Sequence, residues 1–126
     1  MNTKTYAIIT DVHSNSPALK KGLEIINDRD DVDKIIFLGD YFSLGPDPNE
    51  ILDILKSKPN SVVLRGNHER YLIEEIWKDE KPELEGMSQD DPILKEIVDN
   101  EEWTASQIGQ DGIAFCNAMS ISNREI

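Results

Sequence analysis

Three short apolar runs, each stopped by a polar loop, constrain this chain more than any other feature. Residues 4–10 (KTYAIIT) give way to DVHSNS, residues 34–38 (KIIFL) to GDYFS, and residues 61–64 (SVVL), after Arg65, to GNHER. Runs that are β-branched and apolar throughout, with no alternation, belong in a parallel sheet covered on both faces. Helical patterns fill the intervals. Ser16 stands as an N-cap before Pro17, and Leu19, Leu23 and Ile26 recur at i, i+4 and i+7, so a helix is expected to about Asn27. Asp47 with Glu50 has the form of a capping box, and Ile51, Leu52, Ile54 and Leu55 supply an apolar face behind it. Residues 69–78 read as a third helix. The order is therefore β-α-β-α-β-α, an α/β architecture. Right-handed crossovers place the C-terminal ends of all three strands on one edge, and open sheets bind ligands at that edge, usually where the strand order reverses.

Beyond this unit the composition shifts. Residues 79–102 are rich in acid and broken by Pro82, Gly86 and Pro92, which predicts a solvated loop and then a short helix around residues 93–98. Residues 101–108 predict one more helix, ended by Gly109, and the tail from Gly112 to Ile126 shows no clear period, only a strand or a helical turn. The 126 residues fit a single domain, and 38% hydrophobic with 30% charged residues and a mean hydropathy of -0.48 describe a soluble globular chain. No apolar run approaches the roughly 20 residues of a membrane span, and MNTKTYAIIT lacks the basic and apolar regions of a secretory signal, so a cytoplasmic location is expected. The lone Cys116 agrees with a reducing compartment. A net charge of -12 repels phosphate backbones and anionic lipid, which excludes nonspecific nucleic-acid binding and attraction to membranes.

The common edge gathers Asp11, His13, Asp40, Asn67 and His68. Carboxylate oxygen, imidazole nitrogen and amide oxygen form a mixed set suited to divalent Mn, Fe, Zn, Ni or Co. Asp11 and His13, two apart beyond a strand, turn their side chains the same way, and a second aspartate completes a site for one ion. A carboxylate such as Asp40 can also bridge two ions roughly 3.5 to 4 Å apart, a spacing that clamps a phosphate. The glycines before Asp40 and Asn67 allow a sharp turn and a close backbone approach to the ions. Taken singly, each Asp or Asn is more often a helix cap or a turn residue, and each histidine more often a hydrogen-bonded loop residue than a ligand. Convergence at one edge is what favours the metal reading.

D-x-H at Asp11 to His13, G-D at Gly39 and Asp40, and G-N-H-E at Gly66 to Glu69 resemble the first three signature blocks of the calcineurin-like metallophosphoesterase family. The stretch GDYFSLGPDPNEILDIL is similar to the small prokaryotic branch. RGNHE resembles the serine/threonine protein phosphatases, but Ser43 and Leu44 stand where that branch has Asp and Arg, which argues against an arginine phosphate clamp. The resemblance implies a metal-dependent phosphoesterase, a phosphatase or a phosphodiesterase, acting on a small phosphate ester or nucleotide. It further implies that Asp11 and His13 bind a first metal, Asp40 bridges, Asn67 binds a second metal through its side-chain oxygen, and His68 protonates the leaving oxygen or stabilises the transferring group. Glu69 is left to orient a histidine or cap a helix, and Arg70 to form a surface salt bridge rather than meet phosphate.

The family is a four-layer αββα sandwich, and the resemblance assigns this chain its β-α-β-α-β-α half, with the second sheet and three later histidine ligands missing. No histidine follows His68. Two divalent ions would then have three and two protein ligands. The expectation is a truncated domain whose sheet has one uncovered face. The alternative is an inactive metallophosphoesterase-like domain that serves as a binding or assembly module, with a homo-oligomer covering that face.

Overall fold

The computed structural model describes residues 3–122, and in it the three apolar runs are parallel strands. The elements are β1 (Tyr6–Ile9), α1 (Ser16–Asn27), β2 (Lys34–Phe37), α2 (Pro48–Lys56), β3 (Val62–Val63), α3 (Asn67–Glu74) and α4 (Pro92–Ala118), with a 3-10 turn at Ile76–Lys78. Ile8 lies opposite Ile36, and Ile36 opposite Val62. A parallel bridge from Leu64 to Ser120 prolongs the sheet beyond β3. The strand order is β1-β2-β3, so no reversal marks the ligand edge among the described strands, contrary to the usual pattern.

Alternation along the strands separates two faces. Ile9, Ile35, Phe37 and Val63 pack with Leu19 and Leu23 of α1, Ile51, Leu52 and Leu55 of α2, and Ile108 and Cys116 of α4, which together form the core. On the other face Ile8 is 58% exposed and Leu38 41% exposed. One sheet face is thus uncovered among the described residues, as the resemblance to half of a sandwich implied and contrary to the two-sided cover that the unbroken apolar runs suggested. The central Ile36 alone is fully enclosed there.

Helix termini show where distant partners override local patterns. Asn15, not Ser16, caps α1 by accepting from the amide of Ala18 at 3.1 Å. Ser16 instead donates its hydroxyl to Asp47 Oδ2 at 3.0 Å. Asp47 precedes α2 as its N-cap without bonding its amides, and Glu50 pairs with Lys20, so the expected capping box does not form. The third helix stops at Glu74 because Glu75 adopts a left-handed conformation, φ 52°, and only the 3-10 turn follows.

The two short helices expected after residue 92 are joined in α4. Asp91 caps it by accepting from Ile93 at 2.9 Å, with Pro92 at the first position. Gly109, with φ of 63° and ψ of -168°, ends the first helical segment as expected, and across this kink the chain resumes helically to Ala118. The tail is thus helical as far as Ala118, while residues 123–126 lie outside the described residues. The acidic loop before α4 is held by Leu84, buried against Tyr71, Ile76 and Leu94. Among the described residues no helix is long and apolar enough to cross a membrane.

Candidate metal centre

Parallel strands deliver three loops to one edge, and backbone contacts lock them together. Amides of Asp11, His13 and Ser14 donate to the carbonyls of Gly39, Asp40 and Tyr41 at 3.2, 3.0 and 2.7 Å, joining the first loop to the second. The second and third loops touch through glycines: a Cβ on Gly39 would lie 2.6 Å from Gly66 Cα, and one on Gly66 would lie 2.5 Å from Asp40 Oδ1. The close approach expected of these glycines is to each other's loops. Glu69, fully buried, fastens the same junction. Its Oε1 accepts from Asp40 N at 2.7 Å and Gly66 N at 2.9 Å, and its Oε2 from Tyr41 N at 3.0 Å. Burial pushes its carboxyl above the ordinary value, against the pull of those three amides. Glu69 therefore caps α3 from its third position by accepting from the Gly66 amide, and among the described residues its hydrogen bonds go to backbone amides and not to a histidine.

Asp11, His13 and Asp40 converge, each offering one ligand atom within 4.8 Å of the others. His13 Nδ1 lies 3.2 Å from the Ser43 carbonyl, so the proton belongs on Nδ1 and Nε2 keeps a free lone pair. That Nε2 stands 3.5 Å from Asp11 Oδ1. All three residues have left-handed backbones, with φ of 54°, 44° and 62°. Such conformations cost about 1 kcal/mol or more apiece, and here they cluster where donor atoms are aimed at one point.

Asn67 and His68, at the start of α3, border the group. Asp40 Oδ1 accepts from the His68 amide at 3.0 Å. The Asn67 amide rests against the Asp40 carboxylate, its nitrogen donating at 2.9 and 3.1 Å when turned that way. The His68 ring meets the His13 ring edge to face at 5.2 Å. Its Nδ1 is 2.5 Å from Glu101 Oε1, and Glu101 Oε2 accepts from the Ser43 hydroxyl at 2.7 Å. Burial alone would depress the His68 imidazole, but the hydrogen bond and charge of Glu101, with the charges of Asp40 and Glu69, carry it above the ordinary histidine value. Arg70 pairs with Glu74 at 3.1 Å and Glu85 at 3.6 Å, as expected of a surface salt bridge.

Glu101 is the residue that sequence reasoning missed. A sign of it was present: Leu94, Glu101, Thr104 and Ile108 form the buried stripe of α4, and a carboxylate at a core position of such a stripe calls for partners elsewhere in the fold.

Comparison with known proteins agrees with this geometry. The family model described as calcineurin-like phosphoesterase matches residues 4–122. Over 66 residues the chain is 36% identical to a symmetrical bis(5'-nucleosyl)-tetraphosphatase of Coxiella burnetii, covering 52% of this chain and 23% of that protein. Over 63 residues it is 38% identical to an uncharacterized protein of Methanocaldococcus jannaschii, covering 50% and 25%. The chain thus aligns with about a quarter of the length of these relatives. Among solved structures, a metallophosphoesterase from Sphaerobacter thermophilus superimposes with a TM-score of 0.60 at 24% identity, over 99% of this chain and 44% of that one. A hypothetical protein from Pyrococcus horikoshii gives 0.69 at 21% identity, over 94% and 49%. These two likenesses establish a shared fold.

Proposed function

The chain belongs to the calcineurin-like phosphoesterase family, and from that premise we propose that its loop edge is the metal-binding side of a phosphoesterase that hydrolyses a small phosphate ester or nucleotide. The convergence of Asp11, His13 and Asp40, with His13 Nε2 left free, is the observation that carries this reading. The donor set fits one divalent ion of the Mn, Fe, Zn, Ni or Co class. Asp40 with Asn67 would form the beginning of a second site once the Asn67 amide turns its oxygen, in place of its nitrogen, inward. Divalent ions bound there supply Lewis-acid polarisation of the phosphoryl group and activation of water. Asp11, His13 and Asp40 hold that charge in place, and Asn67 orients toward it. His68 stands beside the same group and protonates the leaving oxygen from Nε2, since Nδ1 is engaged by Glu101. A nucleotide substrate is favoured by the name of the Coxiella burnetii relative.

Loading the chain with Mn, counting bound ions and measuring turnover of an aryl phosphate tests the proposal. Wild type should bind Mn and turn over the ester, and Asp40→Ala should lose both. A wild type that binds no metal would defeat the enzyme reading. The second reading, a binding or assembly module without turnover, is favoured by the exposed sheet face around Ile8 and Leu38. Metal binding without hydrolysis, together with self-association, is the result that selects it.

A further inference from the structure

The buried carboxylate of Glu101 lies outside the converging group of Asp11, His13 and Asp40, and packing alone does not account for it. It occupies a fully enclosed position on the face of α4 shared with Leu94, Thr104 and Ile108, where an apolar side chain would fill the space without being withdrawn from water. Both of its oxygens meet donors from other elements: His68 Nδ1 at 2.5 Å and the Ser43 hydroxyl at 2.7 Å. The preceding residue, Asn100, accepts from the Leu44 amide at 2.7 Å, so two successive residues of α4 grip the loop after β2. Ser43 stands where the protein-phosphatase pattern has an aspartate, and here its hydroxyl serves the incoming glutamate.

We propose that Glu101 is a positioning residue for His68: it accepts a hydrogen bond from Nδ1–H, fixes the ring beside His13, and leaves Nε2 as the nitrogen that carries the proton to be donated, with Ser43 holding Glu101 in turn. Its catalytic meaning rests on the phosphoesterase reading. In the step it serves, the oxygen of water forms the new bond to phosphorus and the ester P–O bond breaks. The departing oxygen takes the Nε2 proton of His68, and the proton released by the attacking water restores it. Throughout, the Nδ1 proton stays in the bond to Glu101. An orienting carboxylate of this kind matters most when the leaving oxygen needs a proton.

With two histidines in the chain, the pairing can be read directly by proton NMR. Wild type should show one strongly deshielded ring N–H that disappears in Glu101→Gln and His68→Gln and persists in His13→Gln. Mn-loaded Glu101→Gln should keep its metal and KM, lose about 100-fold in kcat on phenyl phosphate, and lose little on dinitrophenyl phosphate, whose leaving oxygen needs no proton. Ser43→Ala, which removes only the donor to Oε2, should show the same pattern at smaller size and serves if the Gln variant does not fold. A deshielded proton absent from wild type, or retained in Glu101→Gln, overturns the inference. So does equal loss on both esters, or loss of bound metal, because either is a general structural effect. A wild type that shows the proton and binds Mn but hydrolyses neither ester overturns the phosphoesterase reading, and with it the catalytic role of Glu101.

Discussion

A single side chain, Glu69, accepts from the amides of Asp40, Tyr41 and Gly66 while fully enclosed, so the loops after β2 and β3 share one carboxylate. Replacing it tests how far the candidate centre depends on backbone that bears no ligand atom. Glu69→Ala strands three buried amide donors and should destabilise the chain by about 3 kcal/mol, read as a lower urea midpoint. In Glu69→Gln the amide oxygen can keep the bonds from Asp40 and Gly66, but its NH2 then faces the Tyr41 donor, so the loss should be roughly half as large. Equal stability of the three proteins would refute this account. GNHE was legible as a motif because its four residues are contiguous. The capping role of its glutamate was legible too, but not its hold on the loop after β2, because Asp40 and Tyr41 are 29 and 28 residues away.

The kink in α4 belongs to the scale of the element. Gly109 holds φ 63° and ψ -168°, a conformation essentially confined to glycine, and a Cβ placed there would meet no heavy atom within 4 Å. The cost of a side chain is thus conformational and not steric. Gly109→Ala should lower stability by about 1–3 kcal/mol. Gly22→Ala, in the interior of α1 with equally open space, should raise it by about 0.5–1 kcal/mol. Opposite shifts of the thermal midpoint check the pair. The sequence placed helix before the kink, at residues 93–98 and 101–108, because the periodicity there is local, but it showed no clear period for the segment beyond Gly109. Whether glycine ends a helix or bends it depends on what receives the next turn, here the core around Cys116.

For the whole molecule, an exposed apolar sheet face opposes a net charge of -12. Burial of Ile8 and Leu38 favours association, whereas like charge keeps copies apart at low salt and weakens as the Debye length falls from about 30 Å to about 8 Å. Sedimentation should therefore show a monomer at low ionic strength and a heavier species at physiological salt. Ile8→Lys should hold the chain monomeric at both. A mass that does not respond to salt would refute the expected self-association.

By itself the sequence determined three parallel strands, the helices between them and the gathering of Asp11, His13, Asp40, Asn67 and His68 at one edge. Hydrophobic period and turn chemistry act between near neighbours, and parallel topology then brings strand ends together without further instruction. Only the tertiary structure decided the sequential strand order, the capture of Asp47 by Ser16 and the pairing of His68 with Glu101. The two side-chain pairings join residues from separate parts of the chain, 31 apart for Ser16 and Asp47 and 33 apart for His68 and Glu101. A buried polar group takes whatever partner packing brings within reach, and that choice is made in three dimensions.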